Sequence, residues 1–258
     1  MTQITAISRE RHADKRWKRS ESYAFTANDA VAPLVAQELS RACLSMPIGF
    51  VQTEDAFQLV AVQGLQAEQN LWLSPDGRWF GPYVPAVYRS YPFALAKSED
   101  DRRVLCIRED SGLITESEGE RFFDEAGQPS QPVQEVLRFL ELLANNAQQT
   151  AAQCAILMAH HLIQPWNIQL KSGEAEQTVK GLFRVDEAAL NALPTKAFEM
   201  LRKAGALPLV YCQLLSMQHI NTLGKLANRQ AQGTLAAQQP DGDLDLEFLK
   251  NDGNLRFH

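Results

Sequence analysis

The 258-residue sequence predicts an α+β fold, a β-rich N-terminal half packed with a helical C-terminal half. Two patterns carry that prediction. Before residue 130 the apolar residues come in short β-branched and aromatic runs broken by turn residues, as in IGFVQT and FQLVAVQGL. From about Pro132 they recur every three or four positions, as in VQEVLRFLELLANNAQ. Strands followed by helices, with no internal repeat, argue for α+β over a regular βαβ winding. The expected organisation is one domain over 1–226, made of a basic arm (1–20), a β-rich part (21–130) and a mainly helical part (131–226). A linker and an acidic segment (227–258) follow it.

Residues 1–20 carry six Lys/Arg against two Asp/Glu, and residues 241–258 carry five Asp/Glu against two Lys/Arg. Charge runs of this kind form solvated ends or attract one another. VAPLVAQELSRACL (31–44) spaces its apolar residues at helical intervals, with Asn28 or Asp29 placed to cap a helix that Met46-Pro47 stops. The runs at 48–53 and 57–65 then pair as strands. In NLWLSPDGRWF, Ser74-Pro75-Asp76-Gly77 has the chemistry of a tight turn, which predicts a hairpin bringing Trp72 close to Trp79.

RRVLCIRED (102–110) reads as a further strand, and RFFDEAGQPS as an apolar anchor and a turn. Two helices are expected at 133–148 and 150–163, separated near Asn145-Asn146, the second closed by Pro165. WNIQLKS and QTVKGLFRVD predict a second hairpin; DEAALNAL, TKAFEMLRKAG and LPLVYCQLLSMQHINTLGKLA predict helices. Residues 228–243 read as a frayed helix or linker, before LDLEFL pairs as a terminal strand.

The formal charge of −6 argues against a nucleic-acid binder, because phosphate neutralisation needs a basic face. Cys43, Cys106, Cys154 and Cys212 are far apart and lack C-x-x-C spacing, so reduced thiols are expected. With no apolar segment after the basic N-terminus and no run long enough to span a bilayer, a cytoplasmic protein is expected, non-Sec export remaining open. Dinucleotide, Walker, zinc-protease and α/β-hydrolase signatures are all missing. Adjacent His160 and His161 point about 100° apart on a helix, which disfavours one shared metal ion. Cys154 and His161 lie about 10.5 Å apart along the axis, too far for a thiolate–imidazole pair. The expectation is no cofactor, no metal and no catalytic set.

The most distinctive stretch is GPYVPAVYRSYPF (81–93), which holds three of the chain's five tyrosines. Pro82, Pro85 and Pro92 stiffen it and keep it from forming one helix, leaving room for a short turn at 85–90. Tyrosine and tryptophan give large contact area with few rotors, and Arg89 supplies a planar fork for a carboxylate or an aromatic face. These residues either line a binding surface or cap the β-layer, with Arg89 pairing an acid internally. On the first reading Tyr91 and Phe93 turn inward while Tyr83, Tyr88 and Arg89 line a cleft.

ISRERHADKRW, SYAFTANDAVAPLVAQELSRACLSMPIGF, QNLWLSPDGRWFGPYVPAVYRSYPF, VKGLFRVDEAALNAL and LVYCQLLSM together resemble the SapC family of bacterial proteins, from about residue 6 to about residue 226. The 70–93 block is the most specific part, although Ser90 stands where the family pattern has a second arginine. The family is named for a gene associated with bacterial surface layers, and the resemblance carries over no catalytic residue. It implies neighbours such as TonB-dependent receptors and halogenase-like or cupin-like enzymes, and so a role in nutrient uptake or beside modifying enzymes.

The leading expectation is therefore a non-enzymatic binding or accessory protein whose partner is a protein, a peptide or a small aromatic ligand. Its site residues are Asn70, Trp72, Trp79, Tyr83, Tyr88, Arg89 and Tyr91. One alternative is an enzyme acting on a peptide or carbohydrate through dispersed residues, with Glu38 and Asp76 as acids, although Glu38 on a helix reads as a solvated charge. A structural surface-layer component is the other.

Overall fold

The computed structural model describes residues 4–98, 100–172 and 175–237. The basic N-terminal segment is built into the fold: β1 (Ile4–Ala6), α1 (Arg9–His12) and β2 (Arg16–Trp17) precede β3 (Val31–Pro33) and α2 (Leu39–Ala42). Next come β4 (Ile48–Thr53), β5 (Ala56–Val62), α3 (Ala86–Arg89), β6 (Phe93–Lys97), β7 (Arg103–Arg108), β8 (Ile114–Thr115) and β9 (Glu120–Arg121). The long helix α4 (Gln131–Ala159) is followed by β10 (Ile163–Pro165), β11 (Ile168–Ser172), β12 (Ala175–Val179) and β13 (Leu182–Val185). Four helices close the described chain: α5 (Glu187–Asn191), α6 (Thr195–Lys203), α7 (Leu207–Ser216) and α8 (Ile220–Ala237).

The structure is mixed, with strands concentrated before α4 and helix after it, but the division is coarse. The five-stranded sheet has the order β10-β13-β4-β5-β3 and so draws two strands from beyond α4. A second sheet, β1-β7-β6, has three antiparallel strands, and β8-β2-β9 and β11-β12 are smaller.

Three expectations need correction. Residues 31–44 are not one helix: β3 pairs with β5, Val31 opposite Val62, and only Ala36–Glu38 and Leu39–Ala42 turn helically. Pro33 is the reason, since proline holds the preceding Ala32 extended, and an edge strand tolerates proline's missing N–H. The two helices expected at 133–163 are one. Asn146 and Thr150 interrupt its apolar stripe without breaking it, because their side chains accept the N–H groups of Gln37 at 3.1 Å and Ala36 at 2.8 Å. The helix ends before Pro165, which lies in β10. Within the expected second hairpin, β11 pairs with β12, but the chain turns at Gly181 (φ +88°) and β13 instead joins β10 and β4. Residues 228–237 belong to α8, while the expected strand LDLEFL lies outside the described residues.

Two apolar cores result. The larger contains Phe50, Leu59, Trp72, Tyr88, Cys154, Leu157 and Leu209, and the smaller Trp17, Phe93, Ile107, Phe122, Val133 and Leu140. Helix α4, about 43 Å long by its 29 residues, contributes Val133 and Leu140 to one and Cys154 and Leu157 to the other. Among the described residues no helix is long and apolar enough to cross a membrane.

Candidate functional site

The turn at Ser74–Gly77 forms as expected. Gly77 takes φ +79°, Leu73 bridges Trp79, and the Trp72 and Trp79 rings stack with centroids 6.5 Å apart. Gly81 follows where a Cβ would lie 2.7 Å from the Trp72 ring and 2.9 Å from Trp79 Nε1, so only glycine lets the chain cross this pair. Trp79 Nε1 donates to the Tyr83 carbonyl at 2.9 Å. After α3, the cis Tyr91–Pro92 peptide leads into β6. The segment thus passes from one core, through Tyr88, to the other, through Phe93, which is buried as expected at 4% exposure.

Glu38 fixes the middle of this crossing. Sequence reading makes it a solvated charge; in the structure it is 5% exposed and turned inward. Its Oε2 accepts from Val35 N at 3.0 Å, and its Oε1 accepts from Tyr83 Oη at 2.7 Å and Ala86 N at 2.6 Å. Burial, and then the bond to Glu38, push the Tyr83 hydroxyl well above its ordinary pKa. Burial, followed by the charge of Asp29, does the same to Tyr88, whose hydroxyl lies 2.9 Å from Asp29 Oδ2 and 3.0 Å from Gln63 Oε1. Both phenols remain protonated donors.

The cleft beside this segment has a volume of about 530 Å³, within the roughly 300–1,000 Å³ range of small-ligand sites. Leu140, Leu143, Ala144 and Ala147 of α4 line it as one helical stripe. Phe25 and Tyr91 stack in its wall with centroids 3.8 Å apart and planes 8° from parallel. Asp29, Tyr88 and Ser90 line it too, as does Arg108, whose guanidinium lies 5.9 Å from the Tyr91 ring centre. Among the described residues Arg108 has no carboxylate partner within 4 Å.

The expected site residues divide among several places. Tyr88, 7% exposed, and half-buried Tyr91 share the cleft. Asn70 is buried, donating to Thr26 and accepting from Trp72 N at 3.0 Å, and it touches a separate hollow of about 840 Å³ between the hairpin and α8. Buried Trp72 and half-buried Trp79 and Tyr83 form the scaffold behind the crossing. Arg89 is exposed and pairs with no acid among the described residues; its guanidinium lies over Phe139 at 5.4 Å and Tyr83 at 5.9 Å.

Phe25 and Arg108 carry site geometry that sequence reasoning does not assign, and Glu38, named there as a candidate acid or a solvated charge, is instead a buried anchor. Glu38 gave no signal of its own, because a single helix over 31–44 places it mid-helix, whereas the structure starts the helical turn after Val35 and lets the carboxylate reach back to that N–H. Phe25 and Arg108 had none, being ordinary members of a loop and a strand until the fold places them together.

Searches of curated proteins and of solved structures returned no match. A family model does match, the one described as SapC, over residues 7–223. That range runs from just after β1 into the first turn of α8 and takes in every residue of the crossing and its cleft, so the chain belongs to the SapC family.

Proposed function

We propose that this chain is a non-enzymatic binding or accessory protein, and that its ligand sits in the cleft walled by Phe25, Tyr88 and Tyr91. The observation that carries the reading is the lining itself: an apolar helical stripe, a stacked aromatic pair, and two opposite charges, Asp29 and Arg108, not paired with one another. Apolar walls with a few convergent polar groups are what small-ligand sites are made of. An apolar or aromatic group carrying a carboxylate fits this chemistry, the ring meeting the stack and the carboxylate the Arg108 fork.

The acids that an enzymatic reading draws on are otherwise engaged. Glu38 is saturated by three donors, and Asp76 is held in its turn by Ser74 and by Arg78 at 2.6 Å. An accessory role in nutrient uptake, or beside halogenase-like or cupin-like enzymes, is compatible with a binder that has no chemistry of its own.

Titration with aromatic carboxylates and aromatic dipeptides, followed by NMR, tests this. The Tyr91 and Arg108 signals should shift saturably, and Tyr91→Ala and Arg108→Gln should each weaken binding without unfolding the chain. If no compound of either class perturbs the cleft, the reading fails.

A further inference from the structure

Both larger sheets end on this cleft, and each ends with an edge strand. β3 is the last strand of the five-stranded sheet and β6 the last of the three-stranded one; both contribute residues to the cleft wall. The direction of their outer backbone groups follows from the pairing. Gln63 N donates to Ala30 O and Leu34 N to Leu59 O, so alternation along the antiparallel ladder pairs Ala30, Ala32 and Leu34 inward and leaves Val31 and Pro33 facing outward. Arg108 N donates to Pro92 O, so Ala94 and Ala96 pair with β7, while the N–H and C=O of Leu95 face away from the sheet. Phe93, Ala94 and Leu95 all line the cleft; a strand presents three consecutive residues to one hollow along its edge, because its side chains alternate faces.

We infer that the cleft receives an extended peptide that adds as a strand to the β6 edge at Leu95, with a carboxylate of the peptide on Arg108. The inference rests on the cleft being the binding site, as proposed above, and names the class of ligand. A small aromatic molecule satisfies the Phe25/Tyr91 stack and Arg108, but leaves the outward N–H and C=O of Leu95 without a partner among the described residues. An extended chain serves both sets, since strand addition supplies backbone hydrogen bonds and alternate side chains enter pockets. One face of the added strand meets the α4 stripe. The charge fits as well, since the unpaired cation lies beside the strand edge where an acidic residue or a free C-terminus would complete it. On β3, Pro33 lacks an N–H and blunts that edge, leaving Val31 as its one residue with both groups outward; β6 has no proline within it and is the better template.

A display library of random linear peptides, panned on the full chain, tests this. Selected peptides are resynthesised with N-methyl groups at single amides, and with free or amidated C-termini. Strand addition predicts that N-methylation weakens binding about tenfold at every second residue and little in between, one lost backbone hydrogen bond each. It also predicts slower hydrogen exchange at the Leu95 amide and weaker binding of acidic peptides to Arg108→Gln. Peptides that bind with no alternation under N-methylation overturn strand addition and leave the cleft reading standing. So does a result in which phenylacetate or indole-3-acetate shifts Tyr91 while no peptide is selected. If neither class binds, both readings fall.

Discussion

Glu38 Oε1 takes the Tyr83 hydroxyl at 2.7 Å and the Ala86 N–H at 2.6 Å, tying the short helical turn at 36–38 to the aromatic crossing. Removing the carboxylate leaves three donors without their acceptor, two of them backbone groups. Glu38→Ala should therefore cost on the order of 3 kcal/mol, and Tyr83→Phe about 1–2 kcal/mol. In urea denaturation the double variant should lose less than the sum of the two, because both remove the same contact. Additive losses would show that the pair is not coupled.

Phe93 and Tyr88 lie in different cores and should respond differently to truncation. Phe93→Ala empties a site 4% exposed and should cost about 3–5 kcal/mol. Tyr88→Phe keeps the ring against Phe25 and Trp79 and loses the hydroxyl's contacts with Asp29 and Gln63, about 1–2 kcal/mol. It also removes a hydroxyl from the cleft wall, so ligand affinity should change more than stability does. Chemical denaturation beside a binding titration separates the two effects.

Local chemistry made much of this architecture legible. The turn at Ser74–Gly77, the pairing of the runs at 48–53 and 57–65, of which β5 keeps the part up to Val62, and the helical character of 207–227, which the structure divides into α7 and α8, follow from propensity and period. What escaped were the places where a side chain serves a distant backbone. Asn145-Asn146 read as a helix break because polar residues interrupt the apolar stripe, yet the partners of Asn146 and Thr150, at 37 and 36, lie more than a hundred residues away. The cleft escaped for the same reason. Tyr91 was a candidate on composition alone, whereas Phe25 and Arg108 acquire their meaning only when β7 brings one and the 24–26 turn the other to its ring.

Helix α4 ends on a residue that glycine would suit better. His161 takes φ +54°, the Leu162 N–H bonds back to Leu157 O at 2.9 Å, and the helix closes in the left-handed geometry usually given to glycine. A side chain in that region carries a steric cost of roughly 1–2 kcal/mol, partly offset by the greater freedom of glycine in the unfolded chain. His161→Gly should accordingly stabilise the protein by about 0.5–1 kcal/mol. His161→Val, β-branched in the same geometry, should destabilise it, and a thermal melt of the two variants gives the signs.

His12 sets a pH dependence whose direction follows from its surroundings. The ring is fully buried against Phe122, its Nδ1 lies 3.2 Å from the Ser8 carbonyl, and its Nε2 has no hydrogen-bond partner among the described residues. Burial lowers its pKa below the ordinary 6.5, outweighing the opposite pull of the Ser8 bond and of Glu109 at 3.7 Å; Lys15 and Arg11 lower it further. The unfolded chain therefore binds a proton on His12 at a pH where the folded chain does not. Stability from this group is full above about 6.5 and is lost as pH falls from there toward the folded pKa. Urea midpoints should drop between pH 7.5 and pH 5.0, and less steeply in His12→Gln. NMR titration of the intact protein reads the His12 pKa directly, and a midpoint above 6.5 would reverse the predicted slope.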